Sequence, residues 1–307
     1  MELLLQSEYY DTASIGDLLP QVQKSFPDQE RLSAMRTLVE AGASGTGVHK
    51  ALVELVKTIV RQHGNTEPPP DDMGCLDTLF RAKASADWQE GAVLVRAVRA
   101  DNAHLFARLL ITGPNQLTRA NALMALYRPN AKPLNSRKTY MGTRLLHYGV
   151  DDESLCKTLG NAVEHDPGNV EIIRALLEQR PAQSFQDTLL LTKALRNCSS
   201  EVFGRILDAM GKKSSLLGKV LLLSLSNCGK AKLLLAKGCP QQDRDAALAM
   251  EAMRRPVRYD VVRLLLSFRA SADYDDGAGT AVLRACLSHD IQSVSYTHLT
   301  LPTIYSV

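Results

Sequence analysis

MEAMRRPVRYDVVRLLLSFRASADYDDGAGTAVLRACLSHD, residues 250–290, decides how the rest of the chain is read. Val261, Val262, Leu265 and Leu266 fall at i, i+1, i+4 and i+5 between Tyr259 and Phe268, the apolar stripe of a helix of about three turns. Pro256 stands just ahead of it, where a missing N–H costs little. Arg269 to Asp273 and Asp275 to Gly279 follow, rich in turn formers and without a long apolar run. From Thr280 the stretch Ala281 to Leu287 returns to helical period with small side chains, which let a neighbouring unit pack closely. The stretch predicts two short helices, a polar linker and the start of a further helix.

The same unit recurs along the chain. Paired apolar residues that close each candidate second helix begin at Leu4, Leu38, Leu79, Leu109, Leu145, Leu176, Ile206, Leu234 and Leu265, at intervals of 34, 41, 30, 36, 31, 30, 28 and 31 residues. Their mean is about 33. Gly42, Gly113, Gly149 and Gly238 each follow the second member of a pair by three residues, as a left-handed helix C-cap requires. Helix pairs are expected at 14–26 with 31–40, 91–99 with 102–111, 119–127 with 136–147, 153–164 with 169–179, 184–196 with 201–210, and 214–226 with 230–237. The longest interval is attributed to a proline-interrupted loop, Arg61 to Asp72, RQHGNTEPPPDD.

Gly279-Thr280-Ala281-Val282-Leu283-Arg284-Ala285 resembles the G-x-T-P-L-x-x-A opening of an ankyrin repeat, without its Pro and His. His289 to Val294 resembles that family's turn and second-helix start, and His165-Asp166-Pro167-Gly168 its inter-helix turn. The resemblance, to a degenerate ankyrin-repeat protein, implies binding of protein partners on a concave face built from linkers and first helices. Leu3 to Leu5 read as the end of a helix whose partner is missing. Residues 295–307, Thr- and Tyr-rich and without helical period, resemble a translated adapter scar and are set aside as a non-native tail.

Composition agrees with a stack of thin units. Of 307 residues 45% are hydrophobic but only 5% aromatic, so aliphatic contacts must supply the core. A net charge of +3 does not by itself call for nucleic acid or an acidic membrane. The longest apolar run, Leu216 to Leu225, contains Lys219 and falls far short of the roughly 20 residues of a membrane span. Six cysteines without a C-x-x-C pair, and an N-terminus that does not fit a signal peptide, point to reduced thiols in an intracellular protein, cytoplasmic or nuclear.

Candidate motifs are weak. Gly42 to Lys50, GASGTGVHK, lacks the Lys that a Walker A loop needs after its second Gly, and it follows a helix instead of a strand. Its near match to G-x-S-x-G around Ser44 fails at Thr46. No two of the seven histidines lie at i, i+3 or i+4, so no helical face offers a metal pair. Arg128, Lys132, Arg137, Lys138 and Arg144, interleaved with Tyr127 and Tyr140, form the densest basic cluster but carry no base-stacking motif.

The expected fold is therefore all-α, an ankyrin-like α-solenoid of stacked helix-turn-helix repeats forming one array over 1–294, with both ends cut mid-repeat. The expected function is that of a non-enzymatic protein-protein interaction scaffold. The alternative is a regulatory or sensor segment of a larger multidomain NTPase receptor. No catalytic, cofactor-binding or metal residue is assigned, and no membrane, nucleic acid or small-molecule substrate is expected. The partner is another protein, and the inserts 61–72 and 128–138 are the features that would make its recognition specific.

Overall fold

The structure, a computed structural model, describes residues 11–127, 133–179, 188–210, 214–274, 280, 281 and 283. The expected helix end at Leu3 to Leu5, the tail 295–307, the turn at His289 and Arg128 and Lys132 of the basic cluster lie outside these residues. Among the described residues the protein is all-helical, with no β-strand.

The chain forms two compact units, Met1–Gln179 and Arg180–Val307. The first holds α1 (Thr12–Ser25), α2 (Asp28–Glu40), α3 (Thr46–His63), α4 (Pro70–Arg81), α5 (Trp88–Arg99), α6 (Ala103–Ile111), α7 (Gln116–Met124), α8 (Ser136–His147), α9 (Asp152–His165) and α10 (Val170–Glu178). The second holds α11 (Thr188–Asn197), α12 (Ser200–Met210), α13 (Ser214–Ser224), α14 (Cys228–Ala236), α15 (Gln241–Ala252) and α16 (Tyr259–Ser267).

Packing within each unit follows chain order. Every odd-numbered helix packs on the even-numbered helix that follows it. Odd helices also pack on odd: α1 on α3, α3 on α5, α5 on α7 and α7 on α9. The even helices α6, α8 and α10 do the same in succession, as do α2 and α4. In the second unit α11, α13 and α15 form one row and α12, α14 and α16 the other. Each pair presents an apolar stripe that only its neighbours cover, so burial between pairs holds the rows together.

The residues that set the sequence period close these stripes. Leu38, Leu79, Leu109, Leu145, Leu176, Ile206, Leu234 and Leu265 stand one on each even helix, and none is more than 1% exposed. Burying such a side chain contributes about 1.5–3 kcal/mol. Four residues after five of them the backbone turns left-handed at Gly42, Gly113, Gly149, Gly238 and Arg269, with φ of 90°, 70°, 80°, 96° and 63°. Lys83, four residues after Leu79, does so too, with φ 63°. At Leu79, the Lys83 N–H bonds to Phe80 O (2.9 Å) and the Ala84 N–H to Leu79 O (2.9 Å), which satisfies two of the last carbonyls of α4.

The even helices α6, α8, α10 and α14 begin on an asparagine. Asn102, Asn135, Asn169 and Asn227 each accept a backbone N–H three residues on with the side-chain oxygen. Asn102 is fully buried, and its amide also donates to Gly64 O (2.8 Å) and Thr66 O (3.0 Å) of the preceding pair's loop.

The proline-bearing insert is shorter than the sequence predicts. α3 runs on through Arg61 and His63 and ends at Gly64, with φ 54°. Pro70 opens α4, with Asp71 and Asp72 in its first turn. Proline is well suited to a first helical position, because the N–H it lacks has no partner there. The loop proper is 64–69.

Candidate functional site

The exposed side of the odd row in the first unit carries two clefts, one on each flank of α5. The first, of about 460 Å³, lies between α5 and α7. Ala92, Val95 and Arg99 line it from α5, at helical spacing, and Asn121, Met124 and Tyr127 from α7 and its end. The second, of about 450 Å³, is lined by Val60 at the end of α3 and by Ala92, Val95, Arg96 and Arg99 of α5. Ala92, Val95 and Arg99 thus form a ridge shared by both clefts. Volumes of this size suit a few side chains of a peptide or a small ligand.

The start of α5 is strained where it borders the first cleft. Gln89, Glu90 and Gly91 have φ of 52°, 55° and 82° in succession. Gln and Glu in this region cost about 1–2 kcal/mol each. Gly91 has no alternative, because a Cβ there would come within 2.5 Å of Thr118 Cγ2. The arrangement is held from α7, where the Asn121 amide donates to Glu90 O at 3.0 Å.

Polar groups in the first cleft are incompletely satisfied. The Tyr127 hydroxyl is buried and has no hydrogen-bond partner among the described residues. Burial, with a smaller contribution from the charge on Asp166, pushes its pKa well above the ordinary phenol value, so it stays a neutral donor. Arg99 is exposed and forms no ion pair among the described residues. Glu90, at the opposite end of the cleft, is exposed as well.

A third and larger cleft, of about 830 Å³, covers the insert. Glu67, Pro68, Pro69, Pro70 and Met73 form one wall, and His104 and Arg108 of α6 the other. Arg108 is already paired with Asp77 (2.7 Å). The insert's flank is anchored inward by buried Asp72, 3.3 Å from Arg31 of α2 and 3.4 Å from His63 Nε2. Cys75, one turn on, is buried, and burial first and Asp72 second push its thiol up to about 12. Such a thiol is no nucleophile at neutral pH.

The two inserts singled out by sequence meet, because Arg137 donates to Asn65 O (3.2 Å). The described basic residues Arg137, Lys138 and Arg144 all stand on α8; Arg144 lies over the Tyr148 ring at 5.9 Å, while Arg137 reaches the loop. The glycines of 42–50 serve packing. Gly42 and Gly45 are left-handed, and Gly47 lies against the Gly16 backbone. Among the histidines, His49 accepts from the Ser85 N–H (3.1 Å) and stacks on Trp88, with centroids 4.9 Å apart.

Sequence reasoning did not single out Arg99 or the strained Gln89-Glu90-Gly91, and it noted Tyr127 only for its basic neighbours. Among the described residues no three His, Cys, Asp or Glu side chains gather as a metal site would require. Among the same residues no helix is long and apolar enough to cross a membrane. No protein-family model matches the chain, and no curated protein matches it in sequence.

Proposed function

We propose that the protein is a non-enzymatic interaction scaffold of the ankyrin-like α-solenoid kind, which binds a partner protein across the exposed side of its first helices. The observation that carries this reading is the pair of clefts flanking α5, with Arg99 and Val95 common to both. A continuous ridge between two grooves suits an extended or helical peptide better than a small molecule, because a chain can use both grooves at once. The partly exposed apolar side chains Val95 and Met124 supply contact area, and unpaired Arg99 supplies a charge for orientation. An intracellular setting belongs to the same proposal. None of the five described cysteines forms a disulfide, and Cys75, Cys198 and Cys239 are buried.

A photo-crosslinkable residue placed at Val95 tests the reading in cells. Val95 should yield a discrete crosslinked protein that the same residue at Arg174, on the outer face of α10, does not. Equal crosslinking from both positions, or none from Val95, would overturn it.

A further inference from the structure

We propose that the exposed side of α11, α13 and α15 is a docking surface for an acidic amphipathic helix of a partner protein, which sets its apolar stripe on Leu222, Leu223 and Met250 and its carboxylates against Lys219 and Arg196. The proposal rests on the reading above only in that the exposed side of first helices meets protein, and it concerns a second surface, within the second unit.

Three helices packed in succession build this surface. α13 packs on α11 and α15 at its flanks and on α14 behind, so one side of it stays uncovered, and α11 and α15 continue the row to either side. The uncovered sides are apolar. Leu189, Leu222, Leu223, Met250 and Met253 are each 39–58% exposed. On α13, Lys219, Leu222 and Leu223 stand at i, i+3 and i+4, opposite buried Leu217, Val220 and Leu221. On α11, Leu189 and Arg196 stand seven residues apart on the side opposite buried Leu191, Ala194 and Leu195. A single exposed leucine needs no partner, but five large apolar side chains on three adjacent helices mark an interaction surface.

Charge on this side has one sign. Lys219 and Arg196 are exposed and form no ion pair among the described residues, and exposed Arg254 and Arg255 follow Met253. The carboxylates of the three helices are occupied elsewhere. Asp245 and Glu251 are buried, and an added Cβ at Gly218 would meet the Asp243 carboxylate, which therefore lies against the packed side of α13. The odd row of the first unit differs, because α3 and α9 there carry the pairs Glu54–Lys57 and Glu153–Lys157. A surface at once apolar and basic selects a helix whose apolar stripe is flanked by Glu or Asp. Around α13, Lys219 lies between Leu222 and Leu223, so entry of both leucines into an acyl layer would draw an ammonium with them. A partner helix can instead set a carboxylate against Lys219 while covering the leucines.

The test uses the full chain and a labelled peptide with Leu-Glu-Glu-Leu-Leu-Ala-Glu twice over, a version with Lys in place of every Glu, and a shuffled version without helical period. The Glu peptide should bind about tenfold more tightly than either of the others. Leu223→Gln together with Met250→Gln should weaken it about tenfold and, because both side chains are half exposed, leave the melting temperature unchanged. Lys219→Glu should weaken the Glu peptide and strengthen the Lys peptide. Equal binding of the Glu and Lys peptides, equal binding of the Glu and shuffled peptides, or an affinity that survives Leu223→Gln with Met250→Gln overturns the proposal. So does binding to vesicles of phosphatidylserine and phosphatidylcholine that these substitutions abolish while the Glu peptide does not bind, which would assign the surface to a membrane. Crosslinking from Val95 that persists while the Glu peptide fails to bind removes this surface alone, and its loss while the peptide binds removes the earlier reading alone.

Discussion

Arg258 grips Glu251 with both prongs of its guanidinium, Nε to Oε1 at 2.7 Å and Nη2 to Oε2 at 2.5 Å. Glu251 is 2% exposed, and the remaining Nη1 of Arg258 donates to Leu225 O (2.8 Å), on the preceding helix pair. One side chain thus ties α15, the start of α16 and the end of α13 together. Removing Arg258 would leave a buried carboxylate without its cation, at a cost of about 3 kcal/mol. Arg258→Ala should therefore raise hydrogen exchange across α14 to α16 strongly. Arg258→Lys should recover less than half of the loss, because an ammonium cannot make two parallel bonds and reach Leu225 as well. Full recovery by Lys would show that charge alone is at work.

Asn102 performs a similar task in the first unit without charge. Its oxygen caps α6 by accepting the Leu105 N–H (2.9 Å), and its amide holds two carbonyls of the 64–69 loop. Asn102→Ala should cost about 2 kcal/mol, from the lost cap and two stranded carbonyls. Asn102→Asp keeps the cap but turns a carboxylate toward those carbonyls. It should be at least as destabilising in urea unfolding at pH 7 despite its nearly identical shape. A near-neutral Asn102→Asp would mean that the loop contacts contribute little.

The left-handed position four residues after six of the stripe residues is glycine at Gly42, Gly113, Gly149 and Gly238, but lysine at Lys83 and arginine at Arg269. An added Cβ at Gly113 meets nothing within 4 Å, so only the backbone conformation opposes a side chain there. Gly113→Ala should destabilise by about 1 kcal/mol. Lys83→Gly relieves the same strain but frees the unfolded chain, so a net gain of about 0.5 kcal/mol is expected. A loss of stability in Lys83→Gly, measured by thermal unfolding, would contradict this account of the caps.

These caps, with the leucines that precede them, account for most of what the sequence discloses. A helix that buries one stripe must repeat its apolar residues at fixed spacing, and a helix that stops sharply needs a residue tolerant of positive φ. Both demands are local, so both can be read. The insert boundaries could be read only in part, because three prolines in a row signal interruption equally well whether they end a loop or open α4 at Pro70. The strain at Gln89 and Glu90 has no sequence signature, since these residue types ordinarily favour helix. The unsatisfied Tyr127 hydroxyl and the unpaired Arg99 depend on what α5 and α7 bring together, which no spacing along the chain reveals.

Two glycines separate packing from propensity. Gly47 in α3 crosses α1 so closely that a Cβ would lie 2.3 Å from the backbone carbon and oxygen of Gly16. Backbone cannot yield as a flexible side chain can, so Gly47→Ala should cost about 3 kcal/mol. Gly160, inside α9, has open space around its added Cβ, and there alanine should stabilise by about 0.7 kcal/mol through helix propensity. The two substitutions should move the urea midpoint in opposite directions. If both stabilise, α1 and α3 do not cross at Gly16 and Gly47.

Asp151 links the fold to pH. Its carboxylate caps α9 by accepting the Ser154 N–H at 2.8 Å. Burial raises its pKa, but the bonds from the Ser154 backbone and hydroxyl outweigh burial and hold it below the ordinary carboxylate value. The folded state therefore binds this proton less readily than the unfolded chain. The stabilisation is complete above the unfolded value, near pH 4, and is lost as pH falls through the lower folded value. Asp151→Asn retains an acceptor for the cap but cannot titrate. Wild type should exceed Asp151→Asn in urea midpoint at pH 6, and the gap should close as pH falls below about 4 and the capping carboxylate takes up its proton. Carboxylates distant from Asp151 titrate alike in the two proteins, so a gap that stays constant as pH falls below about 4 would mean that the charge on Asp151 adds nothing to the cap.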